Sequence, residues 1–364
     1  MQNRIVPVAA IPVLLFLGVV PSVFGQVEIS LIEETGWETS DEPYDRALIS
    51  ELNSEISRGT YRELNSIIVI KNGELLIESY FNGSSRDDIH NPRSVSKSVA
   101  GTMLGIAIRE QQIQSTTQTL GDFFDLRQFD EFEESKAEVT LEQLMTMSSG
   151  FEAFDFNPES IGNEEYMYPT DNWVEWALNL PMADDREPGD EWFYFTGGVV
   201  VLGDILNRML PGGLEASTHQ HLFEPMGIEN YQWQYTPQHV ANTAGGLSMT
   251  PLDFAKFGQL YKDGGRWNGQ QLVPESWINE SLRVRYATTE TDQSYGYLFW
   301  ERSYAVGDEF HQTFYSSGNG GNKIFILTEL PLVVVVTASA YGQSYGHQQV
   351  DEIMEKYILP AVVD

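Results

Sequence analysis

No cysteine occurs in the 364 residues. That excludes disulfides, thiolate zinc sites, a cysteine nucleophile and a lipid-modified cysteine. Basic residues are also scarce: 21 Lys and Arg face 53 Asp and Glu, for a formal net charge of −32. So acidic a surface repels nucleic acid and anionic lipid, and neither is an expected partner. It reads as a solvated coat that keeps the chain soluble. Beyond residue 25 no apolar run reaches the roughly 20 residues a membrane helix needs, so no stable membrane insertion is expected. Internal repeats and low-complexity tracts are missing. His-Glu-x-x-His and Gly-x-Gly-x-x-Gly are absent too. His219-Gln220-His221 has no metal-binding context around it, and no metal or organic cofactor is implied.

Hydrophobic residues make up 41% and aromatics 12%, enough for one large core or two lobes. The first residues read as an export signal. Arg4 opens an apolar stretch over 5–20, and small residues near Val23-Phe24-Gly25 precede Gln26. Residues 1–25 are therefore expected to be a cleaved signal peptide, and the protein to be secreted or periplasmic.

Helical spacing marks residues 44–57, with Leu48, Leu52 and Ile56 on one face. Residues 66–81 read as a hairpin turning at Asn72-Gly73. Pro92 forces a helix to start just after it, and that helix runs to Arg109. Its positions 99–108 are apolar or small nearly all round, so it is expected to be buried. Further helices are expected over 251–263, 274–281 and 348–358, and strands over 296–301, 323–327 and 332–337. The order is strands and helix, then helices, then strands and helix. It implies an α+β lobe built from residues 26–125 and 240–364, with a mostly helical lobe, 126–239, inserted.

Within that frame Ser94-Val95-Ser96-Lys97 is the one Ser-x-x-Lys in the chain. At i and i+3 both side chains share a helix face. Ser94 lies at the positive end of the helix dipole. A serine needs a base to become a nucleophile, and a partly buried lysine with a lowered pKa is one. An ordinary helix cap beside a solvated lysine is the other reading of the same four residues. Ser317-Gly318-Asn319-Gly320-Gly321 is a glycine-rich stretch that lets backbone approach a ligand.

Several segments together resemble the β-lactamase-related serine hydrolase family. It includes class C β-lactamases, D-alanyl-D-alanine carboxypeptidases, esterases and 6-aminohexanoate-dimer hydrolases. Arg93-Ser94-Val95-Ser96-Lys97-Ser98 is similar to its first motif. Pro188-Gly189-Asp190-Glu191-Trp192-Phe193-Tyr194-Phe195-Thr196 resembles its second, and Ser316-Ser317-Gly318-Asn319-Gly320-Gly321-Asn322 lies where its third belongs. Leu144-Met145-Thr146-Met147-Ser148-Ser149-Gly150, Gly245-Gly246-Leu247 and Tyr295-Gly296-Tyr297 add to the match, which spans roughly residues 60–360. The resemblance implies a β-lactamase/transpeptidase-like fold, an antiparallel sheet flanked by helices. It implies Ser94 as nucleophile and Lys97 with Tyr194 as general base and acid. The backbone N–H groups of Ser94 and Asn319 would hold the oxyanion, with Ser317, Gly318 and Thr196 contacting substrate.

Two positions depart from the family pattern. Thr196 stands where the second motif has asparagine. Ser316 stands where the third has a cation that binds a substrate carboxylate. The expected function is therefore an exported hydrolase of a small neutral ester or amide. A β-lactamase or D-alanyl-D-alanine carboxypeptidase is the alternative. An inactive penicillin-binding-like protein is the reading from another class.

Overall fold

The computed structural model describes residues 36–289 and 292–363. The expected signal peptide lies outside the described residues. Residues 38–364 cluster as one compact unit. Helix α1 (Arg46–Arg58) begins at Asp45, whose carboxylate accepts the N–H groups of Ala47 and Leu48, and it ends at Gly59 with φ 83°. Ile49, Leu52 and Ile56 form its buried stripe. Strands β1 (Leu64–Lys71) and β2 (Glu74–Tyr80) follow as the expected hairpin. Asn72 and Gly73 both adopt positive φ, 55° and 81°, as a tight turn matched to strand twist requires.

Next come α2 (Val95–Arg109), α3 (Thr196–Met209) and α4 (Pro251–Lys262). The C-terminal part supplies strands β3 (Tyr286–Ala287), β4 (Ser294–Tyr295), β5 (Trp300–Val306), β6 (Glu309–Gly318), β7 (Asn322–Leu327) and β8 (Leu332–Ala338), then α5 (Tyr345–Ile353). The eight strands form one antiparallel sheet in the order β2-β1-β8-β7-β6-β5-β4-β3. Strand β1 thus slots between its own hairpin partner and the last strand of the chain. This is the β-lactamase/transpeptidase-like architecture.

Alternation along β7 shows how both sheet faces are covered. Ile324 faces α4, where a Cβ on Gly258 would come within 2.8 Å of it. Lys323 faces the opposite side, where its ammonium pairs with Asp351 of α5. Arg302 also reaches Asp351, at 3.1 Å, and the Tyr304 hydroxyl donates to it at 2.6 Å. Because both faces are packed, β7 and β8 are buried at every position.

Helix α2 runs through the core, with residues 95–107 all buried. Its hydroxyls are satisfied inside. Ser98 donates to Leu298 O at 2.7 Å, and Thr102 meets the Tyr261 hydroxyl at 2.7 Å. Gly105 lets the Trp277 indole lie directly on the helix, where a Cβ would be only 2.5 Å away.

Three expectations about elements need correction. The strand expected over 296–301 begins only at Trp300. Leu298 at φ 58° and the Gly296 N–H to Phe299 O bond fold 296–299 into a turn. Strand β6 was not foreseen and absorbs Ser316, Ser317 and Gly318, so the glycine-rich turn is shorter than expected. The last helical stretch begins at Tyr345 and reaches Val362, with a wider π turn over Met354–Ile358. Between 126 and 239, α3 is joined by 3-10 turns of three residues, helices of five or six residues, one of which (Leu214–Thr218) runs on into a π turn over His219–Phe223, and long connections in which Pro158, Pro169, Pro181 and Pro188 interrupt the chain.

The buried ion pair makes a test of this packing. Asp351→Ala leaves the Lys323 ammonium buried without its carboxylate, and about 3–5 kcal/mol of stability should be lost in denaturant unfolding. Removing both charges, as Lys323→Met with Asp351→Leu, should recover most of that loss.

Candidate active site

The chain enters the site under constraint. Arg93 holds φ at 56°, a left-handed conformation unusual for a side chain with a Cβ. Its N–H is fixed by Asn91 Oδ1 at 2.8 Å, and its guanidinium lies 4.4 Å from the Tyr341 ring centroid. Ser94 then takes the N-cap position of α2, yet its side chain caps nothing. The hydroxyl instead receives a hydrogen bond from Lys97 Nζ at 2.9 Å. The plain helix-cap reading of the motif is thereby excluded.

Lys97 is 1% exposed. Its second partner is the Ala244 carbonyl, at 2.6 Å. Both partners are neutral oxygens. Burial lowers the pKa of the amine, and the carboxylates of Glu164 and Asp155 oppose that shift. A neutral amine here can donate one N–H to Ala244 and aim its lone pair at the serine proton.

Tyr194 reaches the same point from the segment leading into α3. Its ring centroid is 5.4 Å from Lys97 Nζ, and Ser94 is a hydrogen-bond partner of its hydroxyl. Burial pushes the phenol well above its ordinary pKa, and the bond to Ser94 pulls the other way. Its backbone is pinned on both sides. Before it, Phe193 N–H donates to Met147 O at 2.8 Å; after it, Asp155 N–H donates to Tyr194 O at 2.9 Å and Phe195 N–H points at Met147 Sδ, 3.3 Å away.

The end of β6 forms the opposite wall. A Cβ on Gly318 would lie 1.8 Å from Pro92 O and 3.0 Å from Ser94 N, so only glycine permits this approach. Asn319 Oδ1 accepts the Gly342 N–H at 2.7 Å, which ties the next loop to the site. Ser317 shares the cleft with Gly318 and Asn319. Ser316 points to the other face of the strand and is fully buried, as is Thr196. Neither side chain reaches the cleft lining, although Thr196 had been read as a substrate contact. Its N–H is used instead, donating to Asp155 Oδ2 at 2.7 Å.

Asp155 and Glu164 escaped the sequence reading. Asp155 caps α3 from a distant segment and also accepts the Glu164 N–H at 2.9 Å. Burial, with the neighbouring Glu164 charge, raises its pKa to about 7. No local signal distinguishes these two among so many acidic residues. His347 lines the cleft, where burial and the Lys323 charge lower its pKa to about 4. Among the described residues no cluster of three or more His, Asp or Glu is placed to hold a metal.

Ser94 opens onto two chambers. One of about 390 Å³ is lined by Arg93, Gln234, Asn242 and Tyr341. The other, about 660 Å³, is lined by Phe156, Tyr194, Trp300 and Ser317. Ser94, Glu164, Glu165 and Asn319 border both.

Comparison with known proteins agrees with this geometry. A 6-aminohexanoate-dimer hydrolase of Paenarthrobacter ureafaciens is 24% identical over 263 residues, covering 66% of this chain and 62% of that protein. The match thus spans under two thirds of the relative's length. Among solved structures, a D-stereospecific amidohydrolase from Streptomyces sp. superposes with a TM-score of 0.64 at 14% identity, covering 85% of this chain and 98% of the other. The octameric penicillin-binding protein homologue from Pyrococcus abyssi gives 0.62 at 19% identity, covering 86% and 79%. These structural likenesses speak for the fold. The sequence model of the Beta-lactamase family matches residues 62–355, most of the chain, and with a Ser-x-x-Lys pair closed at the head of a buried helix the protein belongs to that family of hydrolases.

Proposed function

We propose that this chain is an exported serine hydrolase that cleaves an ester or amide through an acyl-enzyme on Ser94. The observation that carries the reading is the 2.9 Å contact between Lys97 Nζ and Ser94 Oγ, with the amine buried among neutral acceptors. The two pKa directions divide the labour. Lys97, pushed down, is the base. Tyr194, pushed up, stays a protonated phenol and is the acid.

Neutral Lys97 takes the Ser94 proton as Ser94 Oγ attacks the substrate carbonyl. The backbone N–H groups of Ser94 and Asn319 hold the oxyanion, each such donor being worth about 10²–10³ in rate. As the C–O or C–N bond breaks, Tyr194 gives its proton to the leaving atom. The Lys97 ammonium then returns a proton to the phenolate, and both groups are reset. Water releases the acyl group by the same steps, with its proton in place of the serine's.

Charge narrows the substrate. Ser316 offers no cation, and Asp155, Glu164 and Glu165 border the cleft. A neutral ester or amide suits this better than a β-lactam or peptide carboxylate. A relative named for 6-aminohexanoate dimer and a structural neighbour named as an amidohydrolase support amide cleavage, while the terminal carboxylate of that dimer sets it apart from the neutral substrate proposed here.

Fluorophosphonate should label the wild-type chain and leave Ser94→Ala unlabelled; equal labelling of both would sink the reading. Short-chain p-nitrophenyl esters should turn over faster than a chromogenic cephalosporin. kcat/KM should rise with pH along a limb below the ordinary lysine value of 10.5, since free Lys97 must be neutral, and Tyr194 should add no falling limb below pH 10, because its phenol is held above that value. Tyr194→Phe should lose about 10²–10⁴ in kcat/KM for an amide.

Asp155 gives a separate pH test. Its folded pKa of about 7 exceeds the ordinary 3.8, so the folded state holds the proton more tightly. That contribution to stability is complete below the unfolded pKa and is lost as pH rises through 7. Unfolding free energy measured at pH 5 and pH 9 should therefore drop less in Asp155→Asn than in the wild type.

A further inference from the structure

Ser94 sits at the waist between two chambers, each large enough for a sizeable group. The chambers differ in one residue that matters for direction. Tyr194 lines only the larger. A general acid must come within about 2.6–3.2 Å of the atom it protonates. Given the reading above, on which this step rests, the leaving group enters the larger chamber and the acyl group the smaller.

The wall of the larger chamber is aromatic. Phe156 stacks on Tyr194 with centroids 5.1 Å apart and planes 11° off parallel. Trp300 lies 5.8 Å from Tyr194 at 25°, and 6.4 Å from Phe156 at 22°. The three near-parallel rings make one panel beside the serine. Phe156 is 54% exposed there, although an isolated phenyl ring in water is unfavourable. The clamp on Asp155, its sequence neighbour, holds it in place through the N–H groups of Thr196 and Glu164.

Charge in the larger chamber is of one sign. Glu164 and Glu165 line it, joined by Asp155 as pH rises above its pKa of about 7. Arg93 lines only the smaller chamber. His347 in the wall is held neutral by its lowered pKa. Lys323 lies outside the lining, paired with Asp351.

We propose that the substrate's leaving group carries a flat ring and no negative charge. The ring packs against Phe156, Tyr194 and Trp300, and the carboxylates reject an anionic tail.

Three butyrate esters test this: of methanol, benzyl alcohol and 4-(hydroxymethyl)benzoate. The alcohols are of similar acidity, so ratios of kcat/KM report recognition rather than leaving-group reactivity. The benzyl ester should exceed the methyl ester by about tenfold or more, the usual scale for filling an apolar pocket. Phe156→Ala should bring that ratio down by about tenfold. The carboxylate-bearing ester should fall below the benzyl ester, and Glu164→Gln with Glu165→Gln should narrow that gap. Equal benzyl and methyl rates in the wild type overturn the proposal, as does a ratio that Phe156→Ala leaves unmoved. So does a Phe156→Ala effect confined to methyl esters of aromatic acids, where the ring sits on the acyl side. Fluorophosphonate separates the two levels. A labelled Ser94 with flat leaving-group ratios ends this inference alone, whereas no label and no turnover end the hydrolase reading with it.

Discussion

Everything at this site depends on an amine kept out of water. An ammonium buried without a paired carboxylate is expensive, and a lysine escapes that cost by shedding its proton. Lys97 is in that position, with Ser94 Oγ and Ala244 O as its contacts. It also sits in the first turn of α2, where the helix dipole further disfavours a cation. The same dipole favours the negative charge that develops on an acyl transfer intermediate beside Ser94. One placement therefore works against the protonated base and for the anionic intermediate. The fold enforces it by burying residues 95–107 of α2, which leaves Lys97 only 1% exposed.

Asp155 is the counterweight. The family pattern has an amide two residues after the tyrosine, and this chain has Thr196, whose side chain is buried. What faces the N-terminus of α3 here is a carboxylate from another segment. It ties together the backbone after Tyr194, the turn that carries Glu164, and Phe156 beside it. Tyr194 is thus positioned by main-chain bonds on each side rather than by the second motif itself. Asp155 also stabilises the Lys97 ammonium, so its own protonation near pH 7 bears on how readily that lysine gives up its proton.

The parts of this structure legible in the sequence are those written in local rules. Asn72-Gly73 specified the hairpin turn, Pro92 and Pro251 specified helix starts, and the all-round apolar pattern of α2 specified its burial. Ser94 and Lys97 could be paired from helical spacing alone. Tyr194 and the 317–319 backbone could be brought to them only through the family motifs, since nothing local links residues so far apart. Strand β6 was missed because both its faces are packed at its C-terminal end, while His311 and Gln312 break any apolar pattern before it. Asp155 and Glu164 were invisible for a different reason. What separates them from the other carboxylates is their place beside Lys97 and Tyr194, and that place is set by the loop over 151–172, which has no periodicity to read.

That last point bears on what the acidity of this protein means. A net charge of −32 suggests a long-range field that draws cations in. At physiological ionic strength, however, exposed charges more than about 8 Å apart are largely screened. The surface coat therefore acts mainly on solubility. The carboxylates bordering the cleft are different in kind. Asp155 and Glu164 lie close enough to the buried Lys97 and Tyr194 that their charges raise the pKa of both groups, against burial at the lysine and with it at the tyrosine. The proposed selection against an anionic leaving group rests on those few residues and not on the rest of the surface. In the proposed recognition it is the position of Asp155, Glu164 and Glu165 beside Ser94, not the total charge, that acts on a bound group.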